Sequence, residues 1–192
     1  MGNLFKVFAT AISGAALGLL ATSISLDRGF FFDAVHAGPW TGWPRAAAAD
    51  SDPYAKAVIS RTGEMPLGPA EGLSFIARID SGGRKLDARC DYLISGQMPN
   101  ARFWTLSILN SDGYIVEHAT RRYGFTSGEL LRDGGHGFSI LLSRSARPGN
   151  WLPIASDQSF VLMLRLYDSA NSANAFSLES SELPNITRER CA

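Results

Sequence analysis

The feature that most constrains this chain is an uncharged segment of 20 residues near its N-terminus. Residues 7–26 read VFATAISGAALGLLATSISL and lie between Lys6 and the charged pair Asp27 and Arg28. As an α-helix rising about 1.5 Å per residue, the segment crosses a hydrocarbon layer of roughly 30 Å. The sequence therefore predicts either one transmembrane anchor or one cleaved signal peptide ahead of the folded part of the chain.

The length of this segment favours an uncleaved anchor. The apolar core of a signal peptide has about 7–15 residues and ends close to a small-x-small cleavage site. The two candidate sites here, residues 21–23 and 35–37, lie inside the segment and well beyond it. Lys6 is the only charge before the segment, so the positive-inside rule places residues 1–6 in the cytoplasm. We expect the rest of the chain on the outer side of the membrane, with signal cleavage as the alternative.

One face of the predicted anchor carries small side chains. Thr10, Gly14, Gly18 and Thr22 recur every four residues, which aligns them on one side of a helix. Small residues in this pattern allow a second helix to approach closely, so we predict helix packing in the membrane at Gly14 and Gly18. The alternative is that the pattern reflects the general abundance of Gly in membrane spans.

A connector and a short helix follow the anchor. Residues 27–50 contain three Phe (Phe30, Phe31 and Phe32), two Trp and two Pro without a regular period. These aromatic residues would lie at the membrane surface or fold back over the following domain. Asp52 and Pro53 then predict a helix start, and the helix runs to about residue 61 before Gly63 ends it.

The remaining chain, residues 51–192, has the alternating pattern of short strands. Apolar residues repeat with a period of two over residues 73–79, 89–95, 104–108, 114–118, 138–142 and 160–166. Turn residues at 81–83 and 110–113 predict hairpins between the first two strands and between the third and fourth. We predict an all-β domain, an antiparallel jelly roll or sandwich with one or two short helices.

Several short motifs carry a family resemblance. They are Asn150-Trp151-Leu152-Pro153, the strand at residues 160–167, and upstream Asp52-Pro53-Tyr54, Pro66-Leu67-Gly68, Phe103-Trp104-Thr105-Leu106 and Gly124-Phe125-Thr126-Ser127. Together they resemble the bacterial domain-of-unknown-function family numbered twelve-fourteen, over roughly residues 52–191.

This resemblance implies an all-β, jelly-roll-like bacterial domain. Longer members of the family carry a companion domain of unknown function, numbered twelve-fifty-four. The chain resembles the short membrane-anchored version, which implies a single-pass protein of the bacterial inner membrane with its β domain in the periplasm. A protein bearing the companion domain is then the expected partner. The family has no settled catalytic residues, so the resemblance implies none here.

The two cysteines are placed to form one bridge. A domain facing the periplasm lies in an oxidising compartment, and Cys90 and Cys191 are the minimum for a disulfide. We predict that the bridge fastens the C-terminal end of the chain to the sheet, the alternative being two unpaired thiols.

Composition and motif spacing exclude several kinds of function. The 18 Lys and Arg balance the 18 Asp and Glu, whereas nucleic-acid-binding proteins normally have a basic excess. His36, His118 and His136 are far apart, and no His or Cys pair has zinc-ligand spacing, so we predict no metal and no cofactor. Thr126 and Glu129 have capping-box spacing, which predicts a helix start rather than a nucleophile elbow at residues 124–128.

Arginine and aromatic residues are the remaining candidates for binding. Arg165 is flanked by apolar residues, and a half-buried guanidinium needs a carboxylate, carbonyl groups or an anionic ligand. The simpler interpretation is an internal ion pair, and by default Trp104 and Trp151 are core residues. The functional interpretation is a pocket for a sugar-like or anionic ligand. The residues proposed to line it are Arg165, Tyr167, Trp104, Arg121, Arg122 and His118.

Three functions are compatible with these observations. The first is a non-enzymatic, membrane-anchored periplasmic module that binds a partner protein or an envelope ligand. The second is a hydrolase or transferase that acts on a cell-envelope carbohydrate or phosphorylated substrate with His118, Arg121 and His136. The third is a purely structural envelope protein. Fold class does not separate them, because β-sandwiches host both enzymes and binding proteins.

Overall fold

The computed structural model describes residues 2–28, 34–48, 50–62, 66–68, 70–98, 101–132, 137–155, 158–169 and 182–191. Within these residues the helices are α1 (Gly2–Arg28) and α2 (Pro53–Thr62). The strands are β1 (Val35–Ala37), β2 (Trp40–Gly42), β3 (Gly72–Ala77), β4 (Cys90–Gly96), β5 (Ala101–Asn110), β6 (Gly124–Thr126), β7 (Phe138–Ser143), β8 (Trp151–Pro153), β9 (Phe160–Ser169) and β10 (Asn185–Cys191). The predictions for Phe30, Phe31, Phe32, Gly63 and His136 concern positions outside the described residues.

Helix α1 contains the predicted membrane span. Asn3–Ile24 is a stretch of 22 residues that is long and apolar enough to cross a membrane. Its side chains are exposed over residues 3–24, so none of them belongs to the core of the described part of the chain. A signal sequence has the same properties, so the choice between anchor and signal peptide stays a prediction. A Cβ atom built on Gly14 or Gly18 meets no atom within 4 Å, which leaves the small-residue face open, and helix packing there also stays a prediction.

Helix α2 begins where the sequence predicts. The backbone N–H of Tyr54 donates to Oδ1 of Asp52 at 2.6 Å, which is the N-cap contact expected of this residue. Pro53 occupies the first helical position, where its missing N–H costs nothing.

The strands form two sheets. The six-stranded sheet has the order β1-β2-β3-β9-β5-β6, and all its neighbours are antiparallel. The four-stranded sheet has the order β10-β4-β7-β8; its first two pairs are antiparallel and β7 pairs with β8 in parallel. The fold is therefore mostly β, as predicted, with mixed pairing in the smaller sheet and no closed barrel.

The main hydrophobic core lies between the sheets. On β9 the alternate residues Phe160, Leu162, Leu164 and Leu166 are all buried in it, as their period-two spacing predicts. Across the core the rings of Phe160 and Tyr92 meet edge to face at 5.6 Å. Contacts of this kind fix the two sheets face to face and produce a β-sandwich. The finer prediction of a jelly roll stays a prediction.

The predicted hairpin between the first two strands is wrong. β3 pairs with β2 and β9 in one sheet, whereas β4 pairs with β7 and β10 in the other. The turn itself forms, because the Asp80 carboxylate accepts the backbone N–H groups of Gly82 and Arg84 and Ile79 bridges Lys85. Beyond that bridge the chain crosses to the opposite sheet, so the turn is a corner of the sandwich and the two strands do not pair.

Two further local predictions are wrong. Residues 114–118 form a loop rather than a strand, and β5 pairs instead with β6. At residue 126 no helix begins, although the capping-box contacts are present: Glu129 accepts the Thr126 N–H at 3.0 Å and its hydroxyl at 2.9 Å. Here the motif stabilises a turn, after which Leu130 packs against the core.

The predicted disulfide is present. Cys90 and Cys191 are register partners on β4 and β10, and they are bonded across a sequence separation of 101 residues. Next to the bridge Asp91 pairs with both Arg147 and Arg190. The C-terminal strand is therefore held to the smaller sheet by covalent and ionic contacts as well as by its backbone hydrogen bonds.

Candidate functional site

The structure separates the predicted site residues into three places. Trp104 lies in the core at 4 % exposure, and its ring packs on Phe138 at 5.5 Å. Its ring is therefore inaccessible to a ligand, which corrects its proposed role in a pocket and agrees with the default core interpretation.

Arg165 and Tyr167 lie together on the outer face of β9. Arg165 is half-buried opposite Ser74 on β3 and Thr105 on β5. The Tyr167 ring contacts Phe103 at 5.9 Å. The strand geometry thus confirms that both side chains share one face, the face directed away from the main core, but it does not bring them to the cleft described below.

The other three candidates, His118, Arg121 and Arg122, lie in one loop between β5 and β6. This loop reaches from the six-stranded sheet to the edge strand β8 of the four-stranded sheet. The His118 ring meets Trp151 edge-on at 6.4 Å, and Nη1 of Arg122 donates to the Trp151 carbonyl at 3.4 Å. The loop therefore bridges the two sheets at one side of the sandwich.

Local hydrogen bonds give the loop its shape. At its start Asn110 Oδ1 accepts the backbone N–H groups of Asp112 and Tyr114, at 3.0 and 2.9 Å. In its middle the Arg121 N–H donates to the His118 carbonyl at 2.9 Å, and Arg121 has a left-handed backbone with φ of 52°. A side chain other than Gly, Asn or Asp is uncommon in that region, so the surrounding contacts hold this turn in place.

A small surface cleft opens between the loop and β8. We name it the His118–Arg122 cleft, after two polar residues of its lining. Its apolar lining residues are Ile108, Leu109, Val116, Pro153 and Ala155, and its polar ones are His118, Arg122 and Tyr123. The cleft has a volume of about 250 Å³ when the space open to solvent is included. An apolar floor with cationic groups beside it can take an apolar group that carries a negative charge.

The charge beside this cleft is not neutralised by the described residues. Among the described residues, seven arginines pair with aspartates: Arg45, Arg84, Arg89, Arg102, Arg147, Arg188 and Arg190. Within the described ranges no carboxylate pairs with Arg121 or Arg122, and the Arg122 guanidinium lies instead 5.1 Å from the centre of the Phe125 ring. Arg121 and Arg122 therefore present their positive charge to solvent, on a loop that also carries the exposed acids Asp112 and Glu117.

Exposed apolar side chains lie on the same loop. Tyr114 is 67 % exposed and Ile115 is 56 % exposed, and both precede Val116 in the cleft lining. Adjacent large apolar side chains at this exposure are typical of a contact surface, whereas scattered single ones are normal on any protein. The loop thus combines unpaired cations with accessible apolar surface.

Sequence reasoning missed Trp151 and Tyr123 as part of this site. Trp151 was assigned to the core by default, but the structure leaves it half-buried beside His118. The available signal was the motif at residues 150–153, which the family resemblance had singled out without a role. Tyr123 gave no signal, because its position depends on its backbone carbonyl accepting the Ile108 N–H at 2.9 Å.

Nothing in the described residues assembles a metal centre or a catalytic triad around His118. No group of three or more His, Cys, Asp or Glu is placed to hold a metal among those residues. The His118 Nδ1 contacts the Thr120 hydroxyl at 2.9 Å, so its neighbour is a hydroxyl rather than a carboxylate. This arrangement can bind and orient an anion through hydrogen bonds and charge.

Comparisons with known proteins support the family and the fold. A family model described as "Protein of unknown function (DUF1214)" matches residues 71–171. The crystal structure of the VPA0106 protein from Vibrio parahaemolyticus is similar, with a TM-score of 0.60 and 22 % identity over 92 % of this chain and 44 % of that chain. An uncharacterised protein from Burkholderia cenocepacia matches with a TM-score of 0.45 and 17 % identity, over 91 % of this chain and 50 % of that one. No curated protein matches the chain.

The chain thus spans half or less of the length of these two solved structures. At 22 % identity, the similarity to the Vibrio protein supports a shared fold. A shared fold does not indicate which activity either protein has.

Proposed function

The chain belongs to the DUF1214 family of proteins of unknown function, and we propose that it is a membrane-anchored module that binds a partner protein on the periplasmic side of a bacterial inner membrane. The family carries no activity to transfer, so the proposal is argued from the site. The observation that carries it is the loop in which Arg121 and Arg122, paired with no carboxylate among the described residues, lie near exposed Tyr114 and Ile115.

The location follows from two separate features. Asn3–Ile24 supplies a helix that is long enough to anchor the domain. The bond between Cys90 and Cys191 is typical of proteins that fold in an oxidising compartment such as the periplasm. With the anchor in the membrane, the β domain is restricted to a layer near the bilayer, which raises the local concentration of any membrane-bound partner.

The choice of a protein partner follows from the surface. Protein interfaces are enriched in aromatic residues and arginine, and residues that dominate binding energy are most often Trp, Tyr and Arg. Tyr114, Arg121 and Arg122 provide both types within a nine-residue loop segment. We expect the partner to carry the region that the longer relatives have beyond the matched part, the companion domain twelve-fifty-four.

The test is co-purification of the tagged full-length chain from native membranes in mild detergent. We expect one protein to remain bound in stoichiometric amount. Arg122→Gln should reduce its recovery, whereas Arg78→Gln, a matched exposed arginine that also pairs with no carboxylate in the described ranges, should not. Recovery of the chain alone would contradict the proposal and would favour a structural envelope protein or a domain that binds a small envelope ligand.

A further inference from the structure

We propose that the His118–Arg122 cleft binds a carboxylate that stands next to an apolar side chain on an extended segment of the partner protein. This inference rests on the proposed function, because it specifies what the partner presents at the cleft. It is carried by three properties of the cleft: its unpaired guanidinium, its apolar floor and its size.

The guanidinium selects the charged group. Arg122 donates one hydrogen bond to the Trp151 carbonyl, and the distance between the two atoms is long, at 3.4 Å. A guanidinium has five N–H donors in a planar fork, so most of its donors remain for a ligand. The geometry of the fork matches the two oxygens of a carboxylate. Arg121 adds a second positive charge from the adjacent position, and the described residues offer neither arginine an internal carboxylate.

The apolar residues of the cleft favour a ligand that has an apolar side chain next to its carboxylate. Ile108, Val116 and Pro153 line the cleft together with Arg122. An apolar side chain of the partner that covers them removes its own surface and theirs from water, which favours binding. A lone carboxylate would leave this floor exposed, and a lone apolar group would leave the arginines unpaired. A segment with an acidic residue beside a leucine-like residue satisfies both.

The size and shape favour a peptide segment over a small molecule that needs an enclosed pocket. The cleft is a shallow surface recess, because its volume of about 250 Å³ includes space that is open to solvent. Tyr114 and Ile115 are exposed on the same loop, directly before Val116 of the cleft lining. Neighbouring residues of an extended peptide can contact these two side chains while one of its own side chains lies over the cleft.

The test is a methyl NMR titration of the full-length chain, labelled at Ile, Leu and Val methyls, in nanodiscs of phosphatidylcholine. The probes are the peptides acetyl-Leu-Glu-Leu-amide and acetyl-Leu-Gln-Leu-amide, which have the same shape and differ in charge. We expect saturable shifts of the Ile108, Ile115 and Val116 methyls with the glutamate peptide, and an affinity about tenfold lower for the glutamine peptide. The core methyls of Ile140 and Leu142 should not move.

Two variants test the role of the guanidinium. Arg122→Gln should weaken binding of the glutamate peptide about tenfold and bring it level with the glutamine peptide. Arg78→Gln, the matched control, should change it less than twofold. The Ile140 and Leu142 methyls report whether each variant is folded, and His118→Gln is the second variant if Arg122→Gln does not fold.

Several results would overturn the inference. The first is that neither peptide gives a saturable shift, and the second is that both bind with equal affinity. The third is that the cleft methyls shift without peptide when phosphatidylglycerol is added to the nanodisc, which would indicate that this surface contacts the membrane. The two proposals can fail separately. A co-purifying partner with equal binding of both peptides contradicts only the carboxylate inference, whereas glutamate-specific binding without any partner contradicts only the proposed function.

Discussion

Removal of the buried Asp80 carboxylate should strongly disturb the C-terminal part of the sandwich. The Asp80 side chain is fully buried, and it accepts the backbone N–H groups of Gly82 and Arg84 at 3.0 and 2.9 Å. It also accepts Nε of Arg84 at 3.3 Å and Nε of Arg188 at 3.0 Å. Arg188 lies on the last strand, so this carboxylate joins the turn after β3 to the C-terminal end of the chain.

The magnitude follows from the burial of the two arginines. The Arg188 side chain is 15 % exposed, whereas that of Arg84 is 62 % exposed and can turn to water. Removing one partner of a buried ion pair costs about 3–5 kcal/mol, and the exposed Arg84 places Asp80→Ala at the lower end, about 3 kcal/mol. Asp80→Asn keeps an acceptor for the two backbone N–H groups and loses only the charge, so we expect roughly half of that loss.

The contribution of Asp80 should depend on pH. Burial of the carboxyl acts to raise the pKa of Asp80, but the backbone N–H of Arg84 and the charges of Arg84 and Arg188 lower it by more. The net effect is a pKa below the usual 3.8. Because the folded-state pKa is lower than the unfolded one, this stabilisation is present above about pH 4 and is lost as the pH falls through the folded-state value.

The assay is urea unfolding of the full-length chain in a zwitterionic detergent, followed by tryptophan fluorescence at neutral pH and at about pH 3. The control is Asp50→Ala, which removes an exposed carboxylate paired with Arg45 and should lower stability much less. A loss of under about 1 kcal/mol for Asp80→Ala, or a loss equal to that of the control, would refute the reasoning. So would an effect of Asp80→Ala that is unchanged at low pH.

Two further variants test the covalent and steric constraints on the sheets. Cys191→Ser removes a disulfide that spans a sequence separation of 101 residues, and it should lower the free energy of unfolding by up to about 4.7 kcal/mol. This difference between the variant and the native chain should disappear when both proteins are measured under reducing conditions. Gly124→Ala places a Cβ atom 2.3 Å from the Leu106 carbonyl oxygen and should destabilise β6 by about 3 kcal/mol, whereas Gly128→Ala meets nothing within 4 Å and should be nearly neutral in the same unfolding assay.

The longer strands other than β10 could be predicted because their periodicity reflects burial on one face. On β9 the residues Leu162 and Leu164 face the core, and Met163 faces a smaller apolar cluster on the other side. Strands of three residues, such as β1, β2, β6 and β8, are too short to show a period, so the sequence did not reveal them. The disulfide was predictable because two cysteines allow only one pairing within the chain.

The pairing of strands was less predictable, because a turn motif does not specify the sheet that each flanking strand joins. The turn at Asp80 has the expected residues, yet β3 finds its partner in β9, more than 80 positions along the chain. Pairing of this kind depends on where the whole hydrophobic face of a strand can be buried. The local sequence around a turn does not specify that location.

The candidate site was also only partly predictable. The sequence predicted one pocket that contains His118, Arg121, Arg122 and Arg165, because arginine and aromatic side chains can bind the same sugar-like or anionic ligands. The structure keeps the first three in one loop and puts Arg165 on the outer face of a central strand. Residues close in sequence were grouped correctly, whereas the approach of Trp151 to His118 depends on how the two sheets stack.

The most direct test of a partner at this loop is site-specific photo-crosslinking in native membranes. A benzophenone amino acid is placed at Ile115, which is 56 % exposed beside the cleft, or at Tyr54, which is 44 % exposed on α2. We expect one discrete cross-linked protein from Ile115, little or none from Tyr54, and a reduced yield from Ile115 when Arg122→Gln is also present. Equal cross-linking from both positions, or none from Ile115, would contradict the account.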